Sequence, residues 1–159
     1  MKIESQAFSI IGIQARTNNA TEMGANGVIP KQWGRFVSEN LAAQIPNKCD
    51  EAIIAGYTEY ENNKAGDYTF IIGLKVTSIE SVPPGMVSKV IAAGTYKILP
   101  SEKGPVWQVV QAVWKKIWNS PDSADISESK RSYKFDYEVY DQRSQDPTNA
   151  QVDIFLGLK

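Results

Sequence analysis

The chain has no histidine and one cysteine, Cys49. Without histidine, Ser-His-Asp and Cys-His catalysis are excluded, and with them nearly every zinc site. A lone cysteine cannot close a disulfide within the chain. Cys49 lies between "IPNK" and Asp50 with no base nearby in sequence, which reads as an incidental thiol rather than a nucleophile. There is no excess of basic residues either: 17 Lys and Arg stand against 18 Asp and Glu, so the net charge is −1 and no nucleic-acid footprint is expected. No apolar run reaches membrane-spanning length, and the N-terminus "MKIESQAFSIIGIQAR" lacks a secretory core and cleavage site. The two glycine-containing turns, "GANG" (24–27) and "KAGD" (64–67), have no phosphate-loop spacing, and calcium-loop spacing is missing. The expectation is a soluble cytoplasmic protein with no cofactor, no metal, no membrane and no direct nucleic-acid partner.

What is present is ordinary for a globular chain of 159 residues, 42% of them hydrophobic and 22% charged. Residues 6–16 are apolar and β-branched and read as a strand, and 17–29 read as an Asn- and Gly-rich loop. A helix is expected to open at Pro30, with Trp33, Val37 and Leu41 on one stripe and Phe36 beside them. Residues 45–50 are expected to end it. Two strand-like runs follow, 52–60 and 67–79, joined by a turn in "ENNKAG", and "SVPPG" (81–85) breaks the pattern.

The order then repeats. Residues 86–99 read as one strand with a small-residue middle, and Pro105 opens a second helix over 106–120. A polar loop (121–132), a strand at 133–140, a turn and a last strand at 151–159 complete the copy. The copies are offset by roughly eighty residues. "TFIIGLK" (69–75) matches "DIFLGLK" (153–159), Trp33 stands opposite Trp114, and "YTEY" (57–60) is set against "YEVY" (137–140). The expected fold is α+β: two βαββ units, about 1–82 and 83–159, sharing one antiparallel sheet within a single domain. Both helices then cover one face, and a cleft lies between them near a pseudo-twofold axis.

The second helix carries two apolar stripes. Val106, Val110, Val113 and Ile117 suffice to dock it on a sheet, and Trp107, Trp114 and Trp118 fall on a neighbouring stripe with Gln111. Those tryptophans either widen the core or line a groove. With Trp33 and Phe36 they are suited to a flat or cationic guest. Glu59, Asp136, Glu138 and Asp153 are the strand carboxylates that could complete a cation site. Alternation puts Glu138 on one face with Asp136 and Tyr140, and periodicity alone makes that face a wet one.

The motif order "IPKQWGRF", "YTEYENNKAGDYTFIIG", "VPPGM", "KGPVWQVVQAVWKKIW", "FDYEVYD" and "VDIFLGLK" resembles the GyrI-like superfamily over about residues 6–159. That superfamily includes the effector-binding domains of AraC-type and MerR-type regulators and stand-alone cationic-drug-binding members from integron cassettes. The resemblance implies a hydrophobic cleft with a buried glutamate, carried over to Glu138. It implies aromatic contact from Trp33, Phe36, Tyr57, Trp114 and Tyr140, and Tyr96 completes the expected set. A cationic, aromatic small molecule is the expected partner, with a protein partner as a further possibility. The resemblance also raises an alternative: hydrolysis of strained electrophiles, with Glu138 as general base and Tyr57 or Tyr140 as proton donor. Asp136, on the same face but nearer the strand's start, is expected to matter less.

Overall fold

The computed structural model describes residues 1–63 and 65–159. The elements run β1 (Lys2–Ser5), β2 (Phe8–Thr17), α1 (Asn19–Glu22), α2 (Val28–Ser38), α3 (Leu41–Gln44), β3 (Lys48–Thr58) and β4 (Tyr68–Val76). They continue with β5 (Val87–Ile91), β6 (Gly94–Pro100), α4 (Val106–Trp118), β7 (Phe135–Tyr140) and β8 (Asp153–Leu158). All pairings are antiparallel, in the order β1-β6-β8-β7-β3-β4-β2-β5. Exchange of the two halves leaves that order unchanged, since β1 replaces β5, β2 replaces β6, β3 replaces β7 and β4 replaces β8. The duplicated α+β architecture expected from the repeat is therefore the one observed.

Two expectations about strands need correction. Residues 86–99 are two strands, interrupted at Ala92–Ala93, and the strand expected over 6–16 starts at Phe8 and is preceded, across Gln6–Ala7, by the unexpected β1. The two interrupted strands pair along both of their segments in one register, as the pairs Ser5–Gly94 and Phe8–Ile91 show. Each thus bends away from its first sheet neighbours to join the second set, so the eight-stranded sheet curls on itself. Phe8 on β2 and Tyr137 on β7 are three strands apart in the sheet order, yet their rings lie 5.6 Å apart inside the curl.

The second correction is a one-residue slip in the internal alignment. With Gly73 and Gly157 as equivalents, Phe70 corresponds to Ile154. Their cross-strand partners, Tyr57 and Glu138, then hold equivalent places in the two halves. The sequence match of "YTEY" with "YEVY", which sets Tyr57 against Tyr137, is therefore one residue out of register. The half-boundary is a tight turn in which Met86 N–H donates to the Pro83 carbonyl and Gly85 has φ of 81°. Pro84 before a left-handed glycine is the sequence signature of that turn type.

Residues 17–29 are not all loop. Glu22, at the end of the short α1, accepts hydrogen bonds from the Val28 and Ile29 amides at 2.9 and 3.0 Å. This caps α2 from outside, where Gly27 offers no side chain. Pro30 is the third residue of α2, still within the turn whose amides lack intrahelical partners. The expected stripe Trp33, Val37, Leu41 fails at its middle and its end. Val37 is 66% exposed, and Asn40, with φ of 50°, turns the chain so that Leu41 begins α3. The "ENNKAG" turn includes Lys64, which lies outside the described residues, although Glu61 N–H donates to the Asp67 carbonyl across it.

Both faces of the sheet are apolar. On one face Phe36 of α2 packs on Ile11, Ile13, Phe70 and Ile72, while Val110, Val113 and Ile117 of α4 pack on Ile154, Leu156 and Leu158. The other face is covered by the sheet's own curl and holds Ile10, Ile71, Tyr96, Phe135 and Tyr137. Burial on this scale, at about 25 cal/mol per Å² of apolar surface, is what holds the halves together. Among the described residues no helix is long and apolar enough to cross a membrane.

Candidate functional site

Alternation along β3 and β7 decides which side chains face the helices. Ala55 lies directly opposite Glu138, and Tyr57 opposite Asp136, so these four share a face. Ala55 is packed with Phe70 and Ile72 under α2, which makes it the helix-covered face. Glu138 is consequently buried, at 2% exposure. The wet reading of this strand is overturned because the face that periodicity cannot distinguish is the one covered by α2 and α4.

Three neutral donors surround the Glu138 carboxylate. The Tyr57 hydroxyl donates to Oε2 at 2.8 Å and the Trp114 indole Nε1–H to the same oxygen at 2.7 Å. The Tyr140 hydroxyl donates to Oε1 at 2.6 Å. Burial raises the pKa of Glu138, and the bonds from Tyr140, Trp114 and Tyr57 oppose that rise. Tyr57 and Tyr140 are themselves pushed well above the usual phenol value by burial and then by the nearby Glu138 charge. Among the described residues no cation pairs with Glu138.

Beside this carboxylate is a cavity of about 370 Å³ between α2 and α4. Trp33 and Pro30 of α2 form one wall, and Trp107, Gln111, Trp114 and Trp118 of α4 form the other. Tyr57, Tyr68, Tyr140 and Glu138 make the floor. The rings meet edge to face: Trp33 against Tyr140 at 4.6 Å and Tyr57 against Trp114 at 5.4 Å. The broad apolar arc of α4 is thus divided between two tasks. Val113 and Ile117 dock on the sheet, Trp107 and Trp118 line the cavity, and Val110 and Trp114 do both.

The structure brings together Glu138, Trp33, Tyr57, Trp114 and Tyr140 but separates Phe36 and Tyr96 from them. Phe36, at 1% exposure, is beneath α2 in the core. Tyr96 is on the opposite face, 5.5 Å from the Tyr137 ring, because its register partners Ile3 and Gly157 point it into the curl. Glu59 and Asp153 are taken up by surface pairs with Lys89 and Arg143, each at 2.9 Å.

Asp136, on the same face as Glu138, is likewise buried rather than wet. It is 0% exposed, and its Oδ2 pairs with Arg131 at 2.7 Å and accepts from the Tyr60 hydroxyl. Its Oδ1 accepts from the Gly157 amide at 2.7 Å. A side chain at Gly157 would run into the Phe135 carbonyl, so the close approach requires glycine. Arg131 lies over the Tyr133 ring at 4.2 Å and near Trp114 at 5.9 Å. Arg131, Tyr133, Tyr60, Tyr68 and Glu22 all reach the cavity wall and went unnoticed in sequence. Tyr68 alone had a readable signal, since it alternates with Phe70 and Ile72 on the helix-covered face.

A family profile described as "Cass2: Integron-associated effector binding protein" matches residues 3–158. YobU of Bacillus subtilis (strain 168), named as a candidate transcriptional regulator, is 32% identical over 150 residues, covering 93% of this chain and 90% of that one. An integron cassette protein from the mobile metagenome of Vibrio cholerae, VCH_CASS2, superposes with a TM-score of 0.73 at 25% identity, over 100% of this chain and 95% of that one. SAV2435, solved with bound tetraphenylphosphonium, shares the fold with a TM-score of 0.77 at 15% identity, over 100% and 93% of the two chains. With the curled sheet, the paired helices and the cavity between them, the match places this chain in the Cass2 family of integron-associated effector binding proteins.

Proposed function

We propose that this effector-binding protein takes up small molecules with a positive charge on an aromatic or otherwise apolar body. One observation carries the reading: Glu138 is buried in the cavity floor with three neutral hydrogen-bond donors and, among the described residues, no cation. A buried carboxylate that lacks a counter-charge costs several kcal/mol, which a cationic guest offsets. The tryptophan and tyrosine rings supply apolar contact and cation–π attraction, about 0.5–2 kcal/mol for each well-placed ring. Hydrophobic area then provides most of the affinity and Glu138 most of the preference for charge. The fold neighbour SAV2435 was solved with a cation of this class, tetraphenylphosphonium.

The test compares tetraphenylphosphonium with neutral triphenylphosphine oxide by tryptophan fluorescence. Glu138→Gln weakens the cation by about tenfold or more and the neutral compound by no more than about twofold. Equal losses for both would remove the charge-recognition role.

Hydrolysis is the weaker reading on this geometry. A general base needs a free lone pair facing water, and Tyr57, Trp114 and Tyr140 already occupy three of the roughly four acceptor positions of Glu138. Mass spectrometry after incubation with a strained electrophile separates the two, because turnover lost in Glu138→Gln supports catalysis and stoichiometric uptake supports binding.

A further inference from the structure

A second cavity, of about 970 Å³, adjoins the first. Trp33, Trp107, Val110 and Tyr140 line both, so these four side chains form the partition. Alone, the Glu138 cavity is at the small end of the range for drug-sized ligands, roughly 300–1,000 Å³, whereas its neighbour is near the large end. The partition is not rigidly packed throughout. Trp107 is 55% exposed, and exposed side chains change rotamer on fast timescales.

The character of the second cavity indicates what it would accept. Its walls next to the partition are apolar: Ile53 and Val139 from the sheet, Val106 and Val110 from α4. Four charged side chains, Asp50, Glu51, Asp141 and Arg143, also line it, and each has a hydrogen-bond or ion-pair partner within the protein. Arg143 pairs with Asp141 and with Asp153, each at 2.9 Å. Glu51 pairs with Lys48 at 3.5 Å, and Asp50 accepts from the Ala52 amide at 3.0 Å. Nothing there resembles Glu138, a buried carboxylate with only neutral donors.

We propose that this cavity is a tail subsite, and that the chain's ligands are elongated amphipathic monocations. The cationic head lies at Glu138, and an apolar tail passes between Trp33 and Trp107 to lie along Ile53, Val106 and Val139. The proposal rests on the cation-binding role of Glu138. It adds the dimension of the ligand along the cleft and the absence of a second charge.

A series of alkyltrimethylammonium ions from hexyl to tetradecyl, each kept below its aggregation concentration, tests it by calorimetry. In the native protein affinity rises by about fourfold per added methylene, the value for full burial of that group, and continues to rise through the longer members. Val106→Trp narrows the subsite next to the partition, at a residue that does not line the Glu138 cavity. It should leave the shortest ion within about twofold of native affinity and flatten the rise for the longer ones. Ile53→Phe, on the opposite wall, should do the same, and circular dichroism verifies that both variants fold. The ten-carbon bis-trimethylammonium ion should bind more weakly than decyltrimethylammonium.

A native series that plateaus at its short members, or identical slopes in native and plugged proteins, overturns the tail subsite. Equal or tighter binding of the bis-cation overturns the neutral tail. If the shortest ion does not bind the native protein at all, the cation-binding role itself fails. If it binds and the slope is absent, only the tail subsite fails.

Discussion

Asp136 and Glu138 stand two residues apart on β7, point to the same face and are both buried, yet they are opposite cases. Asp136 has a guanidinium partner, a phenol donor and a backbone amide, so its charge is balanced inside the protein. Glu138 has three donors and, among the described residues, no counter-charge. The balanced carboxylate ties the loop before β7 to the sheet, and the unbalanced one is the residue on which the proposed cation recognition rests. The sequence "FDYEVYD" gives no hint of this, because the partner that distinguishes them, Arg131, belongs to the preceding loop.

The comparison can be broken most severely at its balanced member. Asp136→Asn leaves Arg131 buried without an anion, which should cost about 3–5 kcal/mol of folding stability in urea unfolding. A loss no greater than that of a surface substitution would show that the pair is dispensable. The unbalanced member should show its effect through pH. Because its folded pKa is raised, the folded state retains a proton that the unfolded state has released. Stability therefore falls as pH rises from the ordinary carboxylate value of 4.5 through the raised folded value. Each pH unit within that window costs up to about 1.4 kcal/mol. Glu138→Gln removes this slope, so unfolding measured across the window should show the ligand-free variant gaining on the native protein toward neutral pH. The smallest effect is expected at a donor. Trp114→Phe keeps a ring but removes one of the three bonds that oppose the raised pKa, so the pH midpoint of cation binding, followed by dye titration, moves upward.

The duplicated plan was legible because it rests on local chemistry. Prolines mark or approach the helix starts, the "PPG" turn marks the half-boundary, and the glycine-leucine-lysine ends of β4 and β8 repeat. The interruptions at Gln6–Ala7 and Ala92–Ala93 were not legible, since no local preference distinguishes a continued strand from one that changes neighbours. The site was legible in its residue types and in the α4 stripe, but Phe36 and Tyr96 show the limit. Both are aromatic and both sit near the right elements, yet one lies under its helix and the other on the far face. For Phe36 the face of α2 that meets the sheet decides it, and for Tyr96 strand register does, which depends on pairs as distant as Lys2 and Lys97.

Those distant pairs also govern how the molecule comes into being. Because β1 of the first half is held by β6 of the second, and β5 of the second by β2 of the first, neither half possesses all of its own edges. Loop-closure entropy makes contacts of such separation late and slow to form. The cleft lies where the halves meet, so it comes into existence only when both have been exchanged into place. A ligand that recognises it recognises the finished molecule, and by mass action it stabilises that state alone.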